Sequence, residues 1–325
     1  MTPLARKSLS LIFMGTSAFA VPILQSLAQS PHRVKLVVTQ PDRPQGRGHR
    51  LVGPPVKLGA AGLGLAVFQP ERIKSPDSLA LLTSLRPEVL VTAAYGQILT
   101  SSILALPSVA AINVHASLLP KYRGPDPIRR AIMSAEARTG VTIMHMDRRV
   151  DAGDIIWQEG IPIGPEETFG SLERRLAGLG ARLAVEVLDL LATGQAPRSP
   201  QEESLATYAP ALEREDEEVH WDKGAEEIAA LIRALDPEPG AHTHLGEMEV
   251  KIWRARPWTA TPIAGGLEQK PGRVTGLEKG RGILVACGPG TLLLEEVQPA
   301  GGRRMEASAF ANGYRIKAGT LLGDR

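Results

Sequence analysis

Asn113 and His115 stand two residues apart at the end of the apolar run AAINVH (110–115). In an extended chain that spacing sends both side chains to one face. An amide there can donate an N–H to a developing oxyanion, and an imidazole can carry protons. Downstream, TGVTIMHMDRRVDAGDIIWQ (139–158) begins as a strand pattern and passes into a loop holding Asp147, Asp151 and Asp154. A carboxylate brought beside the imidazole would hold its tautomer and stabilise the imidazolium. No Ser or Cys nucleophile accompanies this set, which points to direct attack by a substrate amine on a carbonyl, without a covalent enzyme intermediate. On spacing alone the same residues also read as a structural strand end with a capped loop, and the three aspartates compete.

These side chains need elements to place them. SLSLIFMG (8–15), RVKLVVTQ (33–40), GLAVFQ (64–69), PEVLVTAA (87–94) and AAINVH read as buried strands. Helix patterns separate several of them, at AFAVPILQSLAQS (18–30) and SPDSLALLTSL (75–85), and a longer periodic run covers 171–194. Continuous apolar strands alternating with helices predict an α/β domain with a mostly parallel sheet covered on both faces, its ligands outside the carboxyl ends of the strands. Asn113 and His115 fall at such an end, as does the GTS after the first strand, where Thr or Ser is expected to cap the next helix. The run QAPRSPQEESLATYAPALERED (195–216), rich in Pro, Ser and acids, reads as a linker. Beyond it one helix pattern (224–235) precedes alternating strands punctuated by Gly and Pro, the pattern of a small antiparallel barrel or sandwich.

Composition narrows the chemistry. A chain of 325 residues, 43% hydrophobic and 22% charged, suits two soluble domains. No apolar run of about 18 residues calls for a membrane span. The opening MTPLARKSLSLIFMG places basic residues before an apolar stretch too short for a leader, so a cytoplasmic location is expected. The single cysteine, Cys287, excludes an intramolecular disulfide and a cysteine-built metal site. His242 and His244 lack a third ligand at a sensible spacing, so no metal is expected. A Gly-x-Gly-x-x-Gly fingerprint is missing after the first strand and no phosphate-binding P-loop occurs, which disfavours a dinucleotide cofactor. From residue 251 onward twelve Lys and Arg face six Asp and Glu, a balance compatible with a polyanionic partner or with ordinary solvated surface.

NVHASLLPKYRG followed by TGVTIMHMDRRVDAGDII resembles the signature of formyltransferases that use 10-formyltetrahydrofolate. Within that superfamily IFMGTSAFAVPIL, VVTQPDRPQGRGHRL, FQPERIK, AAYGQILT, TYAPAL, IRALDPEPGA and GYRIKAGTLLG extend a resemblance to the methionyl-tRNA formyltransferases over essentially the whole chain. The resemblance implies a Rossmann-like formyltransferase domain (1–194), a linker (195–212) and a smaller C-terminal β-barrel of OB-like type that binds tRNA (213–325). It implies Asn113, His115 and Asp151 as catalytic residues. Ser117, Leu118, Leu119 and Pro120 would hold the folate, with Tyr95, Gly96 and Ile98 forming another wall of its pocket. The implied donor is 10-formyltetrahydrofolate and the implied acceptor the α-amine of methionyl initiator tRNA, the enzyme acting as a monomer.

The basic run QPDRPQGRGHRLVGPPVK (40–57) carries four prolines and three glycines, and a regular helix or central strand is not expected there. The resemblance makes it the loop that meets the tRNA acceptor end, with Arg43, Arg47, Arg50 and Lys57 on phosphates. Several positions depart from the family pattern: Pro125 and Asp126 replace small residues, Arg148 and Arg149 replace a small residue and Leu, Ala211 replaces Lys, and Glu238 replaces Trp. Three other readings compete. A sugar-nucleotide N-formyltransferase would share the Asn, His, Asp and folate; a non-catalytic tRNA-binding module would not need them intact; an oxidoreductase would need the missing glycine fingerprint.

Overall fold

Valine, isoleucine and leucine fill the strands of the first half so densely that both sheet faces must be covered, and they are. The computed structural model describes residues 8–45, 50–259 and 270–323. In chain order the first elements are β1 (Ser10–Gly15), α1 (Ala20–Gln29), β2 (Arg33–Val38), β3 (Arg43–Gln45), β4 (Arg50–Val52), α2 (Pro55–Gly62), β5 (Val67–Phe68), α3 (Pro76–Ser84), β6 (Val89–Ala93), α4 (Ser101–Leu104) and β7 (Ala110–His115). They are followed by α5 (Pro127–Met133), β8 (Arg138–His145), β9 (Ile155–Pro162) and α6 (Phe169–Thr193).

Seven strands form one sheet in the order β5-β2-β1-β6-β7-β8-β9. The five from β5 to β7 are parallel, and β8 and β9 add antiparallel at one edge. Leu11, Ile12, Phe13 and Met14 of β1 are all fully buried, as expected for a central parallel strand. On one side Ile12, Met14, Val38 and Leu90 pack with Leu82 of α3 and Ile103 of α4. The strand order reverses direction at β1, between β2 and β6, and the crevice at such a switch point is the usual ligand position of open α/β sheets.

Two local expectations change. The cap of α1 is Phe19, whose side chain has no acceptor to offer, and the Thr16 hydroxyl donates to the carbonyl of Tyr95 at 2.8 Å. The run 40–57 does enter a helix at its end. Pro54 is the N-cap of α2 and Pro55 begins it, where a missing N–H costs no hydrogen bond. Upstream, β3 and β4 form a separate two-stranded sheet among the described residues, an antiparallel pair matching Arg43 with Val52.

The chain divides into two compact units. The first gathers Met1–Pro127, Arg138–Pro162 and Glu173–Pro210; the second gathers Ile128–Ala137, Ile163–Leu172 and Ala211–Arg325. The second unit contains α7 (Ala225–Ala234), β10 (Ala241–Leu245), β11 (Met248–Pro257), β12 (Val274–Glu278), β13 (Gly282–Ala286), β14 (Thr291–Pro299), β15 (Met305–Glu306) and α8 (Ala307–Gly313). Its antiparallel sheet runs β10-β11-β14-β13-β12, with β15 on β14. Ile228, Ile232, Ile252, Val285, Leu294 and Phe310 belong to its core. The final residues link the two ends of this sheet. Leu322 donates its N–H to the carbonyl of Gly272, just before β12, and Gly323 donates to His244 of β10, both at 2.8 Å. The sheet itself remains an open antiparallel path from β10 to β12.

Candidate active site

Three segments of the first unit build the site. Strand β7 pairs in parallel with β6, setting Thr92 opposite Asn113, and ends at His115. The chain then loops through residues 116–126. Strand β8 runs back antiparallel, with Met144 opposite Asn113 and Thr142 opposite His115, and the loop that follows it returns Asp151 to these two side chains. Glycine permits the close approach of that loop, since a Cβ on Gly153 would collide with the carbonyl oxygen of His145. Asp151 itself sits in the left-handed region at φ 50°, a conformation that Asp and Asn enter more readily than other side-chain-bearing residues.

The carboxylate of Asp151 is where the three groups meet. Its Oδ1 accepts from Nδ2 of Asn113 at 3.3 Å. Its Oδ2 accepts the backbone N–H of Gly124 at 2.8 Å and lies 3.5 Å from Nδ1 of His115. Nε2 of His115 is 2.9 Å from the carbonyl of Tyr122. A carbonyl can only accept, so Nε2 carries the hydrogen and Nδ1 is the nitrogen left to gain or lose a proton. A proton taken at Nδ1 arrives beside a carboxylate. Asn113 is fixed from its other end, where Oδ1 accepts the hydroxyl of Thr92 at 2.7 Å. The acceptor-only carboxylate defines which way the amide points and Thr92 holds its oxygen, leaving the second N–H for a reacting oxygen. The other aspartates are engaged elsewhere: Asp147 accepts the N–H of Arg149 at 3.0 Å, and Asp154 pairs with Arg198 at 3.2 Å.

The residues expected at a folate pocket divide in character. Ser117 is fully buried and donates its hydroxyl to the carbonyl of Lys121 at 2.7 Å, fixing the turn after β7. Leu119 is buried, with its N–H on the Thr142 hydroxyl, and precedes a cis bond to Pro120. Leu118 and Pro120 are half-buried. The side chain of Tyr95 packs into the core beside Met14 and Leu90, and burial raises its phenol pKa. What Tyr95 presents at the switch point is its carbonyl, which accepts from Thr16 and Gln40. Gly96 follows at φ 86°, and Ile98 is 81% exposed.

The basic residues also differ among themselves. Arg43 is largely exposed, 3.9 Å from Glu71, a pairing of little energetic weight on an open surface. Lys57 is committed to Asp42, with contacts of 2.6 and 2.8 Å, and Gln69 also donates to Asp42 at 2.7 Å. That ion pair lowers the pKa of Asp42, chiefly through the Lys57 hydrogen bonds. Lys57 thus ties the root of the hairpin to α2. Arg50 is placed by its backbone in β4, and Arg47 lies outside the described residues.

Sequence reasoning missed Thr92, the N–H of Gly124, the carbonyl of Tyr122 and Gln201. Thr92 had a signal, being the one polar residue of an apolar strand next to β7. The backbone groups had none. Gln201 lies in the segment read as a linker, yet its amide donates to the carbonyls of Asp151 and Gly153 at 2.9 and 2.8 Å. That segment is pinned along its length: Ser199 and Ile155 exchange two backbone hydrogen bonds, and Arg123 bonds to Thr207 and Ala209. Among the described residues no group of three His, Cys, Asp or Glu is placed to hold a metal, and no helix is long and apolar enough to cross a membrane.

Residues 7–188 match the formyl transferase family, and residues 211–315 match the formyl transferase C-terminal domain. A methionyl-tRNA formyltransferase of Moorella thermoacetica is 49% identical over 96% of this chain and 99% of its own. One from Syntrophus aciditrophicus is 45% identical over 97% and 99%. Among solved structures, HypX from Aquifex aeolicus in complex with tetrahydrofolic acid shares the fold, with a TM-score of 0.64 and 17% identity over 95% of this chain and 48% of that one. The sugar 3N-formyl transferase WlaRD does so with a TM-score of 0.62 and 17% identity, over 89% and 97%.

Proposed function

The chain belongs to the methionyl-tRNA formyltransferases, a family of formyl transferases, and from that premise we propose that Asn113, His115 and Asp151 move the formyl group of 10-formyltetrahydrofolate onto the α-amine of methionyl initiator tRNA. The neutral amine attacks the formyl carbon to give a tetrahedral intermediate. The second N–H of Asn113 donates to its oxyanion, where preorganised donors act most strongly. As the bond from carbon to N10 breaks, the new C–N bond of the formamide remains. One proton leaves the amine and one arrives at N10, and His115 Nδ1 beside Asp151 is the group suited to carry it. The observation that supports this reading is the Asp151 carboxylate reaching both the Asn113 amide and the His115 ring.

In this reading the turn 117–120 and the backbone at Tyr95 and Gly96 border the folate, with Ile98 at the rim. Arg43, together with Arg47 and Arg50, meets acceptor-stem phosphates, while Lys57 holds the base of their hairpin. The acceptor assay separates this reading from a sugar-nucleotide formyltransferase. Formyl transfer from 10-formyltetrahydrofolate should occur to methionyl-tRNA and not to an amino-sugar nucleotide; the reverse preference would reject it.

A further inference from the structure

Every hydrogen-bonding position of the Gln201 amide is taken. Nε2 has two hydrogens and faces two carbonyls, Asp151 at 2.9 Å and Gly153 at 2.8 Å. Oε1 has two lone pairs and receives Nε and Nη2 of Arg123, at 3.1 and 3.0 Å. A flipped amide would set hydrogens against the guanidinium and oxygen against both carbonyls, so the observed orientation is the one these partners allow. Arg123 is almost wholly buried, and its guanidinium also meets both oxygens of Glu203, at 2.9 and 3.1 Å. Asp151 meanwhile holds an uncommon left-handed backbone, with its carbonyl on Gln201 and its side chain on Gly124, Asn113 and His115. Releasing the carbonyl would free the peptide to rotate and carry the carboxylate away from the imidazole.

We propose that Gln201 is a positioning residue for formyl transfer: its amide, oriented by buried Arg123, holds the Asp151 loop in the geometry that sets the carboxylate against His115 and Asn113. This inference rests on the assignment of Asp151 to the reaction. Gln201 touches no reacting atom in it and acts through the backbone alone. The isosteric change Gln201→Glu keeps an acceptor for Arg123 but sets a carboxylate oxygen against two carbonyls, so it tests the donors specifically.

The experiment compares wild type, Gln201→Glu, Gln201→Ala, Asp151→Ala and the double variant Gln201→Ala/Asp151→Ala in formyl transfer to methionyl-tRNA, with thermal unfolding and peptide-level hydrogen exchange. Both Gln201 variants should lose about tenfold or more in kcat while KM for either substrate stays within about threefold, because misplacing a catalytic group by about 1 Å can cost far more than that. Exchange should rise in the peptide covering 147–154 and little elsewhere. In the Asp151→Ala background the Gln201→Ala change should cost nothing further, the coupling expected of a residue that works through its neighbour. Wild-type kcat in both Gln201 variants, or an equal loss in both backgrounds, would overturn the inference. Full turnover by Asp151→Ala would instead reject the underlying site assignment.

Discussion

The hydroxyl of Thr92 donates to Oδ1 of Asn113 at 2.7 Å, from a side chain almost wholly buried in the neighbouring strand. An amide looks nearly the same after a half-turn about its last bond, yet only one orientation offers N–H groups to Asp151 and to an oxyanion. Asp151, whose carboxylate can only accept, selects that orientation, and the Thr92 hydroxyl completes it from the other end. Thr92→Val preserves shape and removes the donor, so kcat should fall about tenfold, within the loss expected when an oxyanion donor is weakened. Thr92→Ser should restore most of it. Steady-state kinetics with both substrates saturating checks this, and a Val variant with full kcat would refute it.

Gly124 gives Asp151 its shortest contact, a backbone N–H at 2.8 Å. It does so at φ 118°, and a Cβ there would lie 2.7 Å from the carbonyl oxygen of Ala209. Gly124→Ala should therefore destabilise the chain by about 1–3 kcal/mol through backbone strain and shift the loop off Asp151. Urea unfolding measures the first effect and turnover the second.

Arg43 is exposed and only loosely paired, whereas Lys57 is locked onto Asp42. Arg43→Ala should raise KM for methionyl-tRNA and reduce the slope of its logarithm against log salt by about one phosphate contact, leaving KM for the folate unchanged. Titration of both substrates across a salt series tests the assignment. An equal loss for both substrates would remove it.

Burial holds the imidazoles of His145 and His242 below their ordinary pKa of 6.5, with Arg198 and Arg214 respectively adding to the effect. The folded chain thus takes up these protons less readily than the unfolded chain. The stability the neutral rings contribute is complete above pH 6.5 and is lost as pH falls below it. The urea midpoint should drop between about pH 7.5 and about pH 5.5, and His145→Asn or His242→Asn should each flatten that drop. An unchanged slope in both variants would contradict the assignment.

Periodicity made the parallel sheet legible, because buried β-rich runs and amphipathic helices leave direct traces in residue order. The two-residue spacing of Asn113 and His115 was legible for the same reason. The choice among Asp147, Asp151 and Asp154 was not readable from spacing, since a loop's shape depends on Gly153 beside His145 and on Gln201 some fifty residues away. Gln201 was hidden because side chains that fasten loops carry no period, and a stretch rich in Pro, Ser and acids reads as a tether even when it is hydrogen-bonded to the domain at Ser199, Gln201, Thr207 and Ala209. Lys57 looked like a free cation because the sequence does not reveal that the hairpin returns it to Asp42.

The most direct test is the single-turnover rate of formyl transfer from 10-formyltetrahydrofolate to methionyl-tRNA by Asn113→Ala, both substrates saturating and thermal stability measured in parallel. The amide placed by Thr92 and Asp151 predicts a fall of about 10²–10³ with the unfolding temperature unchanged. A rate within about threefold of wild type, from a folded variant that binds both substrates, would show that this amide is not where the tetrahedral intermediate is held.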